Sequence, residues 1–83
     1  MIKVSEFKAW MDSHTEFSDK VKSDVVSRLK RADAILPWTS DETYIFFLGK
    51  KSEFNSLSIS VKSQIRRSLK LYRSFWSDTN QTI

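Results

Sequence analysis

The chain has no cysteine, and only one glycine and one proline, among its 83 residues. The missing cysteine excludes disulfides and cysteine-ligated zinc, so neither a covalent staple nor a thiolate metal centre is available. No apolar run approaches the ~20 residues of a membrane span, and Met1-Ile2-Lys3-Val4-Ser5-Glu6 lacks the apolar stretch of a signal peptide. A cytoplasmic, reducing location is the expectation. Missing too are a glycine-rich phosphate loop, a nucleophile motif and any metal-ligand spacing.

The most informative absence is local. From Phe54 to Ser77 there is no acidic residue, while Lys62, Arg66, Arg67, Lys70 and Arg73 all fall within it. The protein has 14 Lys and Arg against 10 Asp and Glu, so the nine cations elsewhere are outnumbered by acids. The basic character therefore sits in one stretch. Charge gathered in this way is the electrostatic footprint of a surface that meets phosphates or another anionic partner.

What is present is large apolar side chains. Three Trp, six Phe and two Tyr can furnish a core in a domain near the lower size limit for folding without staples. The expected organisation is a single helical domain over residues 1–78, followed by a polar tail at 79–83.

Helical spacing recurs along the chain and strand alternation is never sustained. A first helix is predicted after Val4, with Ser5 as its cap and Phe7, Trp10 and Met11 inside. Asp12-Ser13-His14-Thr15 reads as a turn, and Ser18 caps a second helix. That helix carries Val21, Val25, Leu29, Ala32 and Leu36 within about 80° of one another, a core-facing stripe. Lys20, Ser23, Ser27, Lys30 and Arg31 lie away from it, and Asp24 and Asp33 dilute its charge. Pro37 ends it.

Thr39-Ser40-Asp41-Glu42 has the form of a capping box. A third helix with Tyr44, Ile45, Phe47 and Leu48 is expected to follow, although five residues cannot separate helix from a short buried strand by periodicity. Gly49 breaks or ends it, and Phe54 and Leu57 resume the apolar pattern. Ser58 or Ser60 caps a fourth helix to about Trp76, with Val61, Ile65, Leu69, Tyr72 and Trp76 as its stripe and the five cations opposite. The two halves echo each other at an offset of 40. Ser18, Val21, Lys22, Ser23, Leu29 and Lys30 match Ser58, Val61, Lys62, Ser63, Leu69 and Lys70. Two packed helical hairpins would produce such an echo, and so would two unrelated amphipathic helices with similar caps. The expected fold is all-α, a compact four-helix domain of two packed hairpins.

The short first helix, the polar turn into Phe17-Ser18, the long helix with Val25, Arg28 and Leu29, and the closing series Ser58, Lys62, Ser63, Ile65, Arg66, Arg67, Ser68, Leu69, Tyr72 and Phe75 resemble one known pattern. It is the N-terminal core-binding, SAM-like domain of tyrosine recombinases and phage integrases. The resemblance covers about residues 5 to 76. It implies a four-helix domain that grips duplex DNA as half of a clamp, with its second and fourth helices facing the major groove. On this sequence those helices carry Lys20, Ser27, Lys30 and Arg31, then Lys62, Arg66, Arg67, Lys70 and Arg73. The catalytic domain of that family is absent from these 83 residues, so the resemblance implies neither strand cleavage nor recombination.

The functional expectation is a small DNA-binding domain, not an enzyme, with no cofactor. Its nucleic-acid-binding residues are Arg66, Arg67, Lys70 and Arg73, then Lys62, Arg31, Lys30 and Lys20. The alternative is a protein-interaction module, such as a phage or mobile-element inhibitor or adaptor, that docks the same basic face on an acidic protein surface. A solvated helix face is the plain reading of any charge run, but such faces commonly mix signs. His14 reads as a surface or capping residue, because only carboxylates stand near it in sequence. Glu6, Glu16, Asp41 and Glu42 suit helix starts. Trp38, after Pro37, is a candidate anchor for a partner. Phe46 and Leu71 lie off the main stripes and either widen the core or form an apolar patch.

Overall fold

The computed structural model describes residues 2–79, where every regular element is a helix and no strand occurs. Five helices follow in order: α1 (Val4–His14), α2 (Asp19–Ile35), α3 (Tyr44–Leu48), α4 (Ser52–Asn55) and α5 (Ile59–Thr79). Tyr44 to Leu48 is helix, not strand. The third of the four expected helices is two short ones, split where α3 ends at Gly49 and the chain turns through Lys50 and Lys51 into α4. The molecule is a slab of 35 × 32 × 16 Å, about two helices thick. At 21 residues α5 is its spine, roughly 31 Å long at 1.5 Å per residue.

The helix starts follow side-chain chemistry. Ser18 and Ser58 do the same work 40 residues apart, accepting the amides of Val21 and Val61 at 3.3 and 3.2 Å. Of the two serines proposed for α5, Ser58 is therefore the cap. Ser5 is not one, since α1 already begins at Val4 and Lys3 caps it without a side-chain bond. Lys3 instead donates its own amide to the Tyr72 hydroxyl at 3.0 Å, joining the entry of α1 to α5. The expected capping box does not form either. The Asp41 carboxylate accepts both the amide and the hydroxyl of Thr43, at 2.8 and 2.7 Å. A two-residue reach is quicker to close than a box begun at Thr39, and Asp competes well for it.

Helix α1 also runs through the expected turn to His14. Thr15 closes it, with amide and hydroxyl both donating to the Met11 carbonyl at 2.9 and 2.8 Å. At the other end α5 reaches Thr79, beyond Trp76. Of the expected tail, residues 80–83 lie outside the described residues.

The core sits between α2 and α5, the most extensive helix pair, with α1 and α4 closing the sides. Phe7 and Met11 of α1, Leu29 and Ala32 of α2, Leu48 of α3, Phe54 of α4, and Ile65, Leu69, Tyr72 and Phe75 of α5 are buried. Phe7 meets Tyr72 edge-on with centroids 5.1 Å apart and tilts on Phe75 at 5.4 Å. Tyr44 is buried and donates its hydroxyl to the Leu36 carbonyl at 2.6 Å, binding α3 to the end of α2.

Two expected core residues sit largely outside it: Val21 is 39% exposed and Phe47 54% exposed, while Trp10, Leu36, Ile45, Leu57 and Val61 are half-buried against the core. Val26 and Phe75, outside the expected stripes, are buried instead. Helices enclosed by several neighbours bury more than one stripe, and α2 touches α1 and α4 as well as α5. Ser68 is buried with its hydroxyl satisfied by the Gln64 carbonyl at 3.1 Å, which makes a polar residue tolerable within the stripe.

Candidate nucleic-acid interface

Helix α5 turns the acid-free stretch into a face. Taking 100° per residue, Lys62, Arg73, Arg66, Lys70 and Arg67 fall in that angular order over about 140°, opposite the buried stripe. Arg66, Arg67, Lys70 and Arg73 are exposed and Lys62 is half-buried.

The two edges of this face border different neighbours. On one edge the Arg66 guanidinium lies over the Phe54 ring of α4, 5.4 Å from its centroid, a contact that holds the side chain without cancelling its charge. On the same edge Arg73 donates to the Ser40 carbonyl at 2.7 Å and approaches the Glu42 carboxylate at 4.0 Å. Within α5 no acid stands one turn from these cations, so Arg73 finds its partners 31 and 33 residues away in the α2–α3 loop. Sequence reading along the helix could not have found that pair. On the other edge Arg67 borders α2 beside Arg28. Among the described residues, Lys62, Arg67 and Lys70 make no ion pair.

Near the end of the face Lys70, Arg73, Ser74 and Ser77 surround a shallow depression of about 240 Å³. Their spacing of three, four and seven puts them on one side of the helix. Two cations and two hydroxyls are the groups that contact phosphate oxygens.

Helix α2 contributes less. Lys22, the counterpart of Lys62 in the echo, is neutralised: it pairs with Asp12 of α1, and with Asp19 at 3.2 Å. Its hydrogen bonds to those two carboxylates raise its pKa. Lys20, Lys30 and Arg31 are exposed and make no ion pair among the described residues. They do not share one side. Lys20 and Arg31 lie about 80° and 60° round the helix from Arg28, which borders α5, whereas Lys30 lies about 160° away. By this geometry Lys20 and Arg31 lie nearer than Lys30 to the side of α2 that borders α5.

The remaining candidates are placed by packing. His14 closes α1, stacked on Trp10 with centroids 4.5 Å apart; its Nδ1 donates to the Trp10 carbonyl at 2.9 Å and its Nε2 lies 3.5 Å from Asp78. Trp10 donates to the same Asp78 carboxylate at 2.9 Å, so the acid that ends the basic stretch is absorbed in tying α1 to α5. Trp38 is half-buried, edge-on to Tyr72 and Trp76 at 4.8 and 5.1 Å, and its amide is held by Asp33 at 2.7 Å. Phe46 is 60% exposed beneath Lys50, whereas Leu71 is half-buried. Burial, reinforced by the Asp33 carboxylate, pushes the Tyr44 phenol up to about 12. Hydrogen bonds from Thr43 hold the Asp41 carboxyl below its ordinary range. Among the described residues no helix is long and apolar enough to cross a membrane, and no three His, Asp or Glu stand together as metal ligands.

Comparison of the chain with protein-family models, with curated proteins and with solved structures found no match.

Proposed function

We propose that the chain binds duplex DNA electrostatically through the exposed face of α5 and carries out no catalysis of its own. Lys70 and Arg66 form the centre of the contact, Arg67 and Lys62 its flanks, and Lys20 and Arg31 of α2 an outer margin. Arg73 sits at the edge, shared between the face and the α2–α3 loop. The observation that carries this reading is a 24-residue stretch without one acid whose five cations all fall on α5, on the side opposite its buried stripe. Groups of this kind hold phosphates first and read base edges second. The sequence resemblance to the core-binding domain of tyrosine recombinases supports the same partner. On that reading α1 with α2, and α3 and α4 with α5, are two hairpins of one plan, each begun at its long helix by a serine cap.

The test is a titration with random-sequence duplex DNA at two salt concentrations. If Lys62, Arg66, Arg67 and Lys70 each neutralise a phosphate, log K falls with log salt at a slope of about −3.6, or roughly 150-fold between 50 and 200 mM. Arg66→Glu/Lys70→Glu abolishes the binding. A slope shallower than about −2 rejects a footprint of this size, and an unaffected double variant rejects the face.

A further inference from the structure

Beside the basic face, α2 and α5 part to leave a groove of about 400 Å³, the largest of the described cavities. Phe17, Val21, Val25 and Leu71 make it apolar, and Arg28 and Arg67 stand on its two sides. Phe17 and Val21 are 40% and 39% exposed. On each helix the lining residues span two turns: Val21, Val25 and Arg28 on α2, and Gln64, Arg67, Ser68 and Leu71 on α5. Neither Arg28 nor Arg67 makes an ion pair among the described residues.

We propose that this groove is the docking site for an acidic amphipathic helix of a partner protein. Phosphates gain nothing from an apolar floor, because duplex DNA offers a charged backbone and polar groove edges. A helix fits both features. Apolar side chains one turn apart enter between α2 and α5, as when an amphipathic helix lies in a hydrophobic groove. Asp or Glu on its two flanks then reaches Arg28 on one side and Arg67 on the other, where planar guanidinium groups take carboxylates bidentately. Two turns of helix cover about 10 Å, the length over which both walls supply contacts. This inference goes beyond DNA binding and does not require it, since only Arg67 belongs to both surfaces.

The test is selection of a displayed library of random 15-residue helical peptides on the full chain. The expected winners carry paired apolar residues one turn apart flanked by acids. They bind Val21→Asp and Arg28→Glu at least tenfold more weakly, and bind Arg66→Glu/Lys70→Glu as they bind the parent chain. Val21→Asp places an exposed acid in the first turn of α2, where a negative charge is favoured. Phe17→Asp, ahead of that helix, is the second variant should the first lose its helical circular dichroism. A library that yields no binder overturns the proposal, as do winners without the acidic and apolar pattern, or winners indifferent to both groove variants. Concentration-dependent dimerisation removed by Val21→Asp would give the groove to a second copy of the chain and overturn it as well. Peptide capture that survives Arg66→Glu/Lys70→Glu while DNA binding is lost separates this inference from the DNA reading.

Discussion

Arg73 donates to the carbonyl of Ser40 at 2.7 Å across 33 residues of chain. The bond fastens the loop that follows α2 to the last third of the basic helix, so one of the five cations has a structural duty. Arg73→Ala should therefore lower stability by about 1 kcal/mol, seen as a fall of roughly 4–8 °C in Tm for a domain of this size. It should change the salt slope of DNA binding by less than the ~0.9 expected of Lys70→Ala. Equal slope changes in the two variants would show that Arg73 leaves Ser40 to join the phosphates.

Tyr44 gives the molecule an alkaline limit. Its hydroxyl donates to Leu36, which requires the proton, and burial raises its pKa from the ordinary 10 to about 12. A group raised in the folded state contributes stability that is whole below its unfolded pKa and lost as pH rises through the folded one. Denaturant midpoints should accordingly hold steady up to about pH 10 and fall from there to about 12. Tyr44→Phe removes the hydrogen bond, lowering stability at neutral pH by about 1 kcal/mol, and flattens that alkaline decline. A decline as steep in Tyr44→Phe as in the parent chain would assign it to another group.

Ser18 and Ser58 are exposed, and their whole contribution is the cap. Each Ser→Ala change should cost about 1 kcal/mol while each Ser→Gly change costs only a few tenths. Calorimetry on the four variants decides this. Ser5→Ala, within α1, is the matched control and should be close to neutral.

Phe75 and Phe46 contrast burial at constant chemistry. Phe75 is 1% exposed and touches Phe7, Trp10 and Tyr72, so Phe75→Ala should cost about 3–5 kcal/mol. For a chain this short that approaches the total stability of ~4–12 kcal/mol. Phe46→Ala, at a position 60% exposed, should stay within about 0.5 kcal/mol. Urea midpoints read both.

Long amphipathic runs were the legible part of the fold. α2 and α5 follow from their stripes and their serine caps, and Leu29, Ala32, Ile65, Leu69 and Tyr72 are buried as the stripes require. Where a local contest or a distant partner decides, the pattern is silent. Asp41 outcompetes Thr39 for the start of α3, and Ser13, His14 and Thr15 bond back along α1 in place of turning. Phe75 and Val26 are buried because α1 and α4 cover sides of the long helices that no single stripe reveals. At the site, the cations of α5 were visible from the missing acids alone. The engagement of Arg73, the offset of Lys30 and the groove between Arg28 and Arg67 depend on which helices become neighbours, and only the folded chain sets that.

The tryptophans have a practical consequence. Trp10 packs on Phe7 and Phe75, and Trp38 meets both Tyr72 and Trp76. None of the three lines the α2–α5 groove or the depression at Lys70. Intrinsic fluorescence thus watches chiefly the aromatic interior, and meets the basic face only where Trp38 shares a pocket with Arg73 at its edge. A charge-reversed or groove variant whose emission spectrum overlays that of the parent chain carries its own optical certificate of an intact interior.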